Sequence, residues 1–234
     1  MSDTRHKPDT GYPRIASLGV TAMLVQFGAG MSEAANRAAL ALRARLEREG
    51  WDGVEETSTA LVSVFVRFDP LHLKHETLEQ KLQSLLGEQD WYSAPLPTGR
   101  RHFHIPCVFG AEEGPQLEEA AALAGLDGAA AIDDLAAQTV QVLTIGFAPG
   151  QPYMGSLTPN WDIPRQTGLT AKVPEGALVV AIRQLIIFAA DAPTGWRHIG
   201  QTAFRCFRPE QDQPFALRPG DQVTFDPVDQ ATMT

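Results

Sequence analysis

The sequence predicts an α+β protein in two parts, an N-terminal ferredoxin-like β-α-β-β-α-β unit followed by a β-barrel. Three observations carry that expectation. Two helix-patterned segments are interleaved with short Val- and Phe-rich runs in the first half of the chain. A helical connector then occupies residues 114–137. Beyond Thr139, short Val/Ile/Leu runs alternate with Pro and Gly, and no amphipathic helix remains. The expected division is a flexible tail over 1–13, an N-terminal α+β domain over 14–98, and a barrel domain over 99–230 that contains the connector.

Taken in order, Ala16 to Phe27 reads as one strand ending at Gly28 and Gly30. From Ser32, a good N-cap residue, strong helix formers run to a terminal Gly50 and predict a helix. A short extended piece is expected near Val54. Thr59 to Phe68 reads as a buried strand, with Leu61, Ser63 and Phe65 alternating with Val62, Val64 and Val66, and Asp69-Pro70 breaks it. A second helix is expected from Glu76 to Leu86, and a last strand of this unit at His102 to Val108. In the connector, one helix opens at Gly114-Pro115-Gln116, and a second follows Gly125 and reaches Ala137.

Composition narrows the partners. In 234 residues, 44% hydrophobic and 20% charged side chains are enough for a real core. A net charge of −9 with no Lys/Arg run argues against nucleic acid and anionic membranes. The apolar runs Ala177–Ile182 and Leu185–Ala190 are far short of the roughly 18–20 residues that span a bilayer. Asp3, Arg5, His6, Lys7 and Asp9 are followed by no apolar core of a secretory signal, so the cytoplasm is the expected compartment. Two cysteines, Cys107 and Cys206, fit buried thiols better than a disulfide framework.

The most chemically suggestive stretch is Ile145 to Leu157, I-G-F-A-P-G-Q-P-Y-M-G-S-L. Gly146, Gly150 and Gly155 permit positive φ and close backbone approach, while Pro149 and Pro152 fix φ and remove donors. Such a loop can aim backbone N–H groups at an anion or a developing oxyanion, with Phe147 and Tyr153 as walls. The competing reading is a tight corner between strands. The two X-Pro bonds are places to look for cis geometry.

This loop resembles the G-F-x-P-G-F-P-Y-L-G-G-L signature of the carboxyltransferase subdomain family. That family includes the B-type subunit of 5-oxoprolinase, the first subunit of allophanate hydrolase, the matching part of urea amidolyases, and the sporulation-kinase inhibitor KipI. Further matches follow in order: Asn36, Phe68-Asp69-Pro70, Ile105 to Leu117, Pro164-Arg165, Lys172 to Gly176, Gly195-Trp196-x-x-Ile199-Gly200, and Arg218 to Phe225. The resemblance implies a C-terminal barrel of the cyclophilin-like kind. It also implies a homologous barrel partner, the C-type subunit of 5-oxoprolinase, together with the A-type subunit. The implied activity is ATP-dependent opening of a lactam or cleavage of a ureido amide.

Phosphorylating an amide oxygen requires cations, donors and usually a metal, so ATP with Mg2+ is the implied cofactor, at the interface with the partner. Arg165 and Lys172 match family positions and are the candidate cations; Arg183 is a further cation near the signature. Gln184 sits at the Gln of the family's G-G-Q-T-G-I-Y-P, where an amide could orient a carbonyl or phosphate. No G-x-x-x-x-G-K-[ST] occurs, so a P-loop is excluded. This chain departs from the family around Gln184: Ile182 and Arg183 replace two glycines, Leu185 and Ile186 replace Thr and Gly, and A-I-R-Q-L-I-I-F-A reads as an apolar strand. Leu169-Thr170 replaces a second Pro-Arg pair, and Leu135-Ala136 an expected His.

Other groups carry less. His102 and His104 share a strand face but lack a third ligand, so no metal is expected. His72 and His75 read as polar surface around a helix start. Asp133-Asp134 and Glu112-Glu113 read as macrodipole partners at helix starts. His198, beside Trp196, could act as acid or base near neutral pH; Trp196 could be core or ligand platform. No Ser/His/Asp or Cys/His set has a local signature, which leaves a covalent nucleophile without support. The functions expected are, first, one subunit of a 5-oxoprolinase, and as alternatives a KipI-like inhibitor or noncatalytic scaffold, and allophanate hydrolase subunit 1.

Overall fold

The computed structural model describes residues 11–230; most of the expected tail over 1–13 lies outside them. The chain divides into two compact units, one ending at Gly99 and the other beginning at Arg100.

The first unit holds β1 (Arg14–Ser17), β2 (Ala22–Gln26), α1 (Glu33–Glu49), β3 (Val54–Ala60), β4 (Ser63–Phe68) and α2 (His75–Leu86). Its strands form one antiparallel sheet in the order β1-β2-β4-β3. The helix over 33–49 forms as expected. The Ser32 hydroxyl accepts from the Ala35 N–H, and Gly50 takes the left-handed conformation that ends it. Met23, Val25, Val64, Val66 and Phe68 from the sheet pack on Ala38, Leu42, Leu78 and Leu82 from the helices.

Three expectations change here. Ala16 to Phe27 is not one strand, because Gly19 at φ +66° turns the chain between β1 and β2. Thr59 to Phe68 is likewise two strands. Leu61 adopts φ +51°, and the buried Asn36 amide donates to its carbonyl at 2.5 Å, tying α1 to the β3–β4 turn. That contact gives Asn36 a structural reason to be there. Finally, the unit is β-β-α-β-β-α rather than β-α-β-β-α-β. The strand expected to complete it, β5 (His102–Phe109), belongs to the second unit, where it hydrogen-bonds to barrel strands on both sides. The alternation of buried Ile105 and Cys107 with exposed His102 and His104 suits a barrel wall.

The second unit continues with α3 (Leu117–Leu123), α4 (Gly128–Ala136), β6 (Val140–Ile145), β7 (Pro152–Gly155), β8 (Thr170–Val173), β9 (Ala177–Ala181), β10 (Gln184–Ile187), β11 (Ala192–Thr194), β12 (Arg197–Gln201) and β13 (Gln222–Pro227). Seven strands close a barrel in the order β10-β7-β6-β13-β5-β12-β9, and β8 pairs with β11 in a separate two-stranded sheet. Val142, Met154, Leu178, Val180, Leu185, Ile187, Ile199 and Phe225 belong to the main core. The alternate residues Ala177, Val179, Ala181 and Ile186 belong to a second apolar cluster with Tyr153, Phe188 and Trp196, to which β8 adds Val173 and β11 adds Ala192. Both faces of β9 are therefore buried, which is why it is apolar at every position.

The segment A-I-R-Q-L-I-I-F-A is a hairpin rather than a continuous strand. Ile182 and Arg183 form the β9–β10 turn at φ +45° and +59°. They thus keep a backbone suited to glycine without the glycines. The Ile182 N–H donates to the Ile163 carbonyl, and the Arg183 N–H to that of Trp161. The Arg183 Nε donates to the Leu157 carbonyl at 2.7 Å.

Asp133 and Asp134 lie near the end of α4, not its start, so they do not serve its N-terminal dipole. Asp134 instead accepts from the Trp161 indole and the Gln138 amide, both at 2.7 Å. In the Arg218-Pro219-Gly220-Asp221 motif, buried Asp221 accepts from the Arg218 N–H and the Arg101 guanidinium, which fixes the turn before β13. Cys107 and Cys206 are buried free thiols, and burial pushes both up, Cys206 to about 12. Among the described residues, no helix is long and apolar enough to cross a membrane.

Candidate functional site

A cavity of about 300 Å³ lies over the outer apolar cluster of the barrel. Tyr153 and Ile186 line it from β7 and β10, with Phe188 and Trp196 beside them. Pro193 and Thr194 of β11 and the segment Arg165, Gln166 and Leu169 before β8 complete the wall, with Phe147 and Gln151 from the β6–β7 loop. Tyr153 and Trp196 meet edge to face, 6.2 Å between centroids. The Arg165 guanidinium stands 5.2 Å from the Trp196 ring centroid, a cation–π distance. Among the described residues, Arg165 is the one charged residue in the lining, and it is itself exposed.

The signature loop is a compact hairpin connection. The Gly146 N–H donates to the Gln151 carbonyl, and the Gln151 N–H to the Ala148 carbonyl, both at 3.1 Å, so these two N–H groups are spent inside the loop. Gly150 has φ +76°, and a Cβ there would stand 2.7 Å from the Cys206 carbonyl oxygen. Phe147 adopts φ +70° and is 74% exposed at the cavity rim. The peptide bonds before Pro149 and Pro152 are trans; among the described residues the cis bonds are Tyr12–Pro13 and Gly155–Ser156.

Of the expected site residues, the structure brings Phe147, Tyr153, Arg165 and Trp196 together around this cavity. Gly146, Pro149, Gly150, Pro152 and Gly155 shape the loop and strand behind it. Lys172 lies elsewhere, exposed on β8 and paired with Asp191 at 2.6 Å, a contact that lowers the Asp191 pKa. Gln184 opens β10 opposite Gly155 and Ala181, outside the lining. His198 is buried and also outside it. Its backbone N–H donates to the Gln116 side chain, its Nε2 makes no hydrogen bond among the described residues, and burial lowers its pKa.

Two amides in the lining escape sequence reasoning. Gln166 donates to the Trp196 carbonyl at 2.9 Å and accepts from the Gln116 amide at 2.7 Å, which holds the Trp196 wall to the start of α3. Gln151 is 1% exposed. The signal available for it was a polar residue at a position where the signature has Phe.

The fold and cavity define an α+β protein whose closed barrel carries a small cavity walled by four aromatic residues, with one cation among its described lining residues. The sequence profile of the carboxyltransferase domain, subdomain C and D, matches residues 13–217, and the chain belongs to that family. It is 31% identical over 222 residues to the B-type subunit of 5-oxoprolinase from Bacillus subtilis, covering 91% of each. It is 36% identical over 141 residues to the Escherichia coli O157:H7 protein of the same name, covering 59% of this chain and 65% of that one. The crystal structure of TTHA0988 superposes with a TM-score of 0.73 at 31% identity over 89% of this chain, which spans only 40% of that longer chain. The Kluyveromyces lactis urea amidolyase shares the fold at 19% identity, with a TM-score of 0.67 over 94% of this chain and 15% of that one.

Proposed function

We propose that this chain is the B-type subunit of a 5-oxoprolinase, a cytoplasmic hydrolase that opens the lactam of 5-oxoproline to give glutamate, and that the cavity beside Trp196 receives the lactam acid. The observation that carries the site is Arg165. It is a guanidinium poised over an aromatic face at the edge of a pocket of mixed polar and aromatic walls, with no carboxylate among the described lining residues to neutralise it. A guanidinium recognises a carboxylate through paired donors, and the aromatic walls suit a small ring. The names of the relatives, each one member of a multi-part enzyme, support a complex with further subunits, here a homologous C-type barrel subunit together with the A-type one.

The lining does not fit Mg2+ and ATP. It offers no carboxylate for the metal and a single guanidinium for a triphosphate. We therefore assign ATP with Mg2+ to the interface with the partner, and Arg165 to holding and orienting the substrate. The cyclophilin-like description of the barrel belongs to this same reading and is supported by its seven-stranded closure.

The test is co-expression with the other two subunits and an assay of ATP-dependent glutamate release from 5-oxoproline. Arg165→Ala in an intact complex is expected to lower the rate by at least about tenfold, the scale of losing a charge-assisted hydrogen bond. An assembled wild-type complex with no activity would instead favour the KipI-like or scaffold alternative, which the side chains of Ile182 and Arg183 at the β9–β10 turn support. Release from a ureido substrate would favour allophanate hydrolysis.

A further inference from the structure

Gln151 combines burial with an unused donor. Its backbone N–H and carbonyl are both taken within the β6–β7 loop, and its side-chain Oε1 accepts from the Ala189 N–H at 3.4 Å. Accepting that bond fixes which way the amide faces and leaves Nε2 as the free end, since it has no partner among the described residues. Yet Gln151 lines the cavity while remaining 1% exposed. A group in the cavity that can accept from Nε2 would give this donor the partner it lacks among the described residues.

Two other polar groups of the lining are engaged with the wall itself. Gln166 gives its hydrogens to the Trp196 carbonyl and to the side chains of Thr170 and Gln116. The Thr194 hydroxyl accepts from the Trp196 N–H. Arg165, the buried Gln151 amide and the Tyr153 hydroxyl are thus donors set among Phe147, Leu169, Ile186 and Phe188. That pattern fits a small ring acid with a second acceptor, a carbonyl, away from its carboxylate.

We infer that Gln151 is the specificity-determining residue of this cavity, donating from Nε2 to the ring carbonyl of a small cyclic carboxylate while Arg165 holds the carboxylate. The inference rests on the substrate reading proposed above and adds to it the group that distinguishes a lactam from a plain ring acid. A site built to donate to a carbonyl rejects the analogue lacking one, because its own donor is then left unpaired.

The experiment titrates the full-length chain by calorimetry with 5-oxoproline and with cyclopentanecarboxylate, which keeps the ring size and carboxylate but has neither the ring carbonyl nor the ring N–H, so that the Gln151 variants isolate the carbonyl's share. Wild type is expected to bind 5-oxoproline about tenfold or more tightly than the analogue, the scale of one buried hydrogen bond. Gln151→Met, similar in size without the donor, should bring the two within about threefold, mainly by weakening 5-oxoproline. Gln151→Glu keeps an acceptor for the Ala189 N–H but sets a carboxylate where the wild-type side chain is 1% exposed, so it should melt below wild type and lose 5-oxoproline binding. Equal affinity of the two ligands for wild type, or unchanged selectivity in either folded variant, overturns the role of Gln151 and leaves the pocket reading intact. Binding of neither compound to wild type overturns the pocket reading and this inference with it.

Discussion

Two tight connections flank β7, and they treat glycine in opposite ways. The β6–β7 loop keeps Gly150 at φ +76°, pressed against the Cys206 carbonyl. The β9–β10 turn uses equally unusual backbone angles but has given its glycines up to Ile182 and Arg183. The difference is space. A Cβ at position 150 would meet backbone at 2.7 Å, which cannot rotate away. Ile182 is 41% exposed, and the turn is held by backbone and side-chain bonds to Ile163, Trp161 and Leu157. A positive φ alone can be tolerated when anchors over-determine it; a positive φ together with a close approach cannot.

The largest effect should follow Gly150→Ala. Left-handed strain and the clash together are expected to cost about 2–4 kcal/mol in denaturant unfolding. The Cys206 thiol, which burial raises to about 12 in wild type, is expected to be silent there at neutral pH and to become open to thiol reagents as the loop lifts. A variant as stable as wild type with a silent thiol would erase the distinction between the two connections. Next comes Arg183→Ala, which removes the bond to the Leu157 carbonyl while leaving the strain, and should cost about 1 kcal/mol. Ile182→Asn should act in the other direction. Asn tolerates the left-handed region, so a gain of about 0.5 kcal/mol is expected as a small rise in Tm, and a fall would mean that the Ile182 side chain is needed for packing. Smallest of all is Lys172→Ala. Its partner Asp191 is exposed, so stability should change by less than about 0.5 kcal/mol. Binding of 5-oxoproline should be untouched; a large loss would return Lys172 to the site.

The same contrast explains what could be read from sequence. The helix over 33–49 was legible because both caps are local, Ser32 and Gly50. The change of character at Thr139 was legible because a strand buried on both faces must be apolar throughout, as β9 is. The turns at Leu61 and Ile182 were not, since nothing in those residue types announces a positive φ and the anchors come from distant segments: Asn36 for one, Trp161 and Ile163 for the other. His102 to Val108 was legible as a strand and fell within the expected barrel domain, yet was also counted to the first unit, because its partners lie far along the chain in β12 and β13. For the cavity, aromatic and cationic members of recognisable motifs were found. Gln151 and Gln166 were missed because an amide takes its meaning from what it faces, and that is set by tertiary packing. Lys172 and Gln184 were chosen by position in a motif, which says nothing about the direction of a side chain.

The last barrel strand has a consequence for how the protein is made. β13 runs parallel to β5 on one side and antiparallel to β6 on the other, with Gln222 paired to both His102 and Gln141. The wall between β5 and β6 therefore cannot close until the ribosome has released the chain as far as Pro227. Until then, the facing edges of β5 and β6 lack their neighbour, and Val140 and Ile105 lack the cover of Val223 and Phe225. Pairings so distant in sequence form slowly, and open strand edges invite other chains. The first unit, whose pairings are all complete by α2, can fold during synthesis, whereas the barrel that carries the cavity must wait for its final strand.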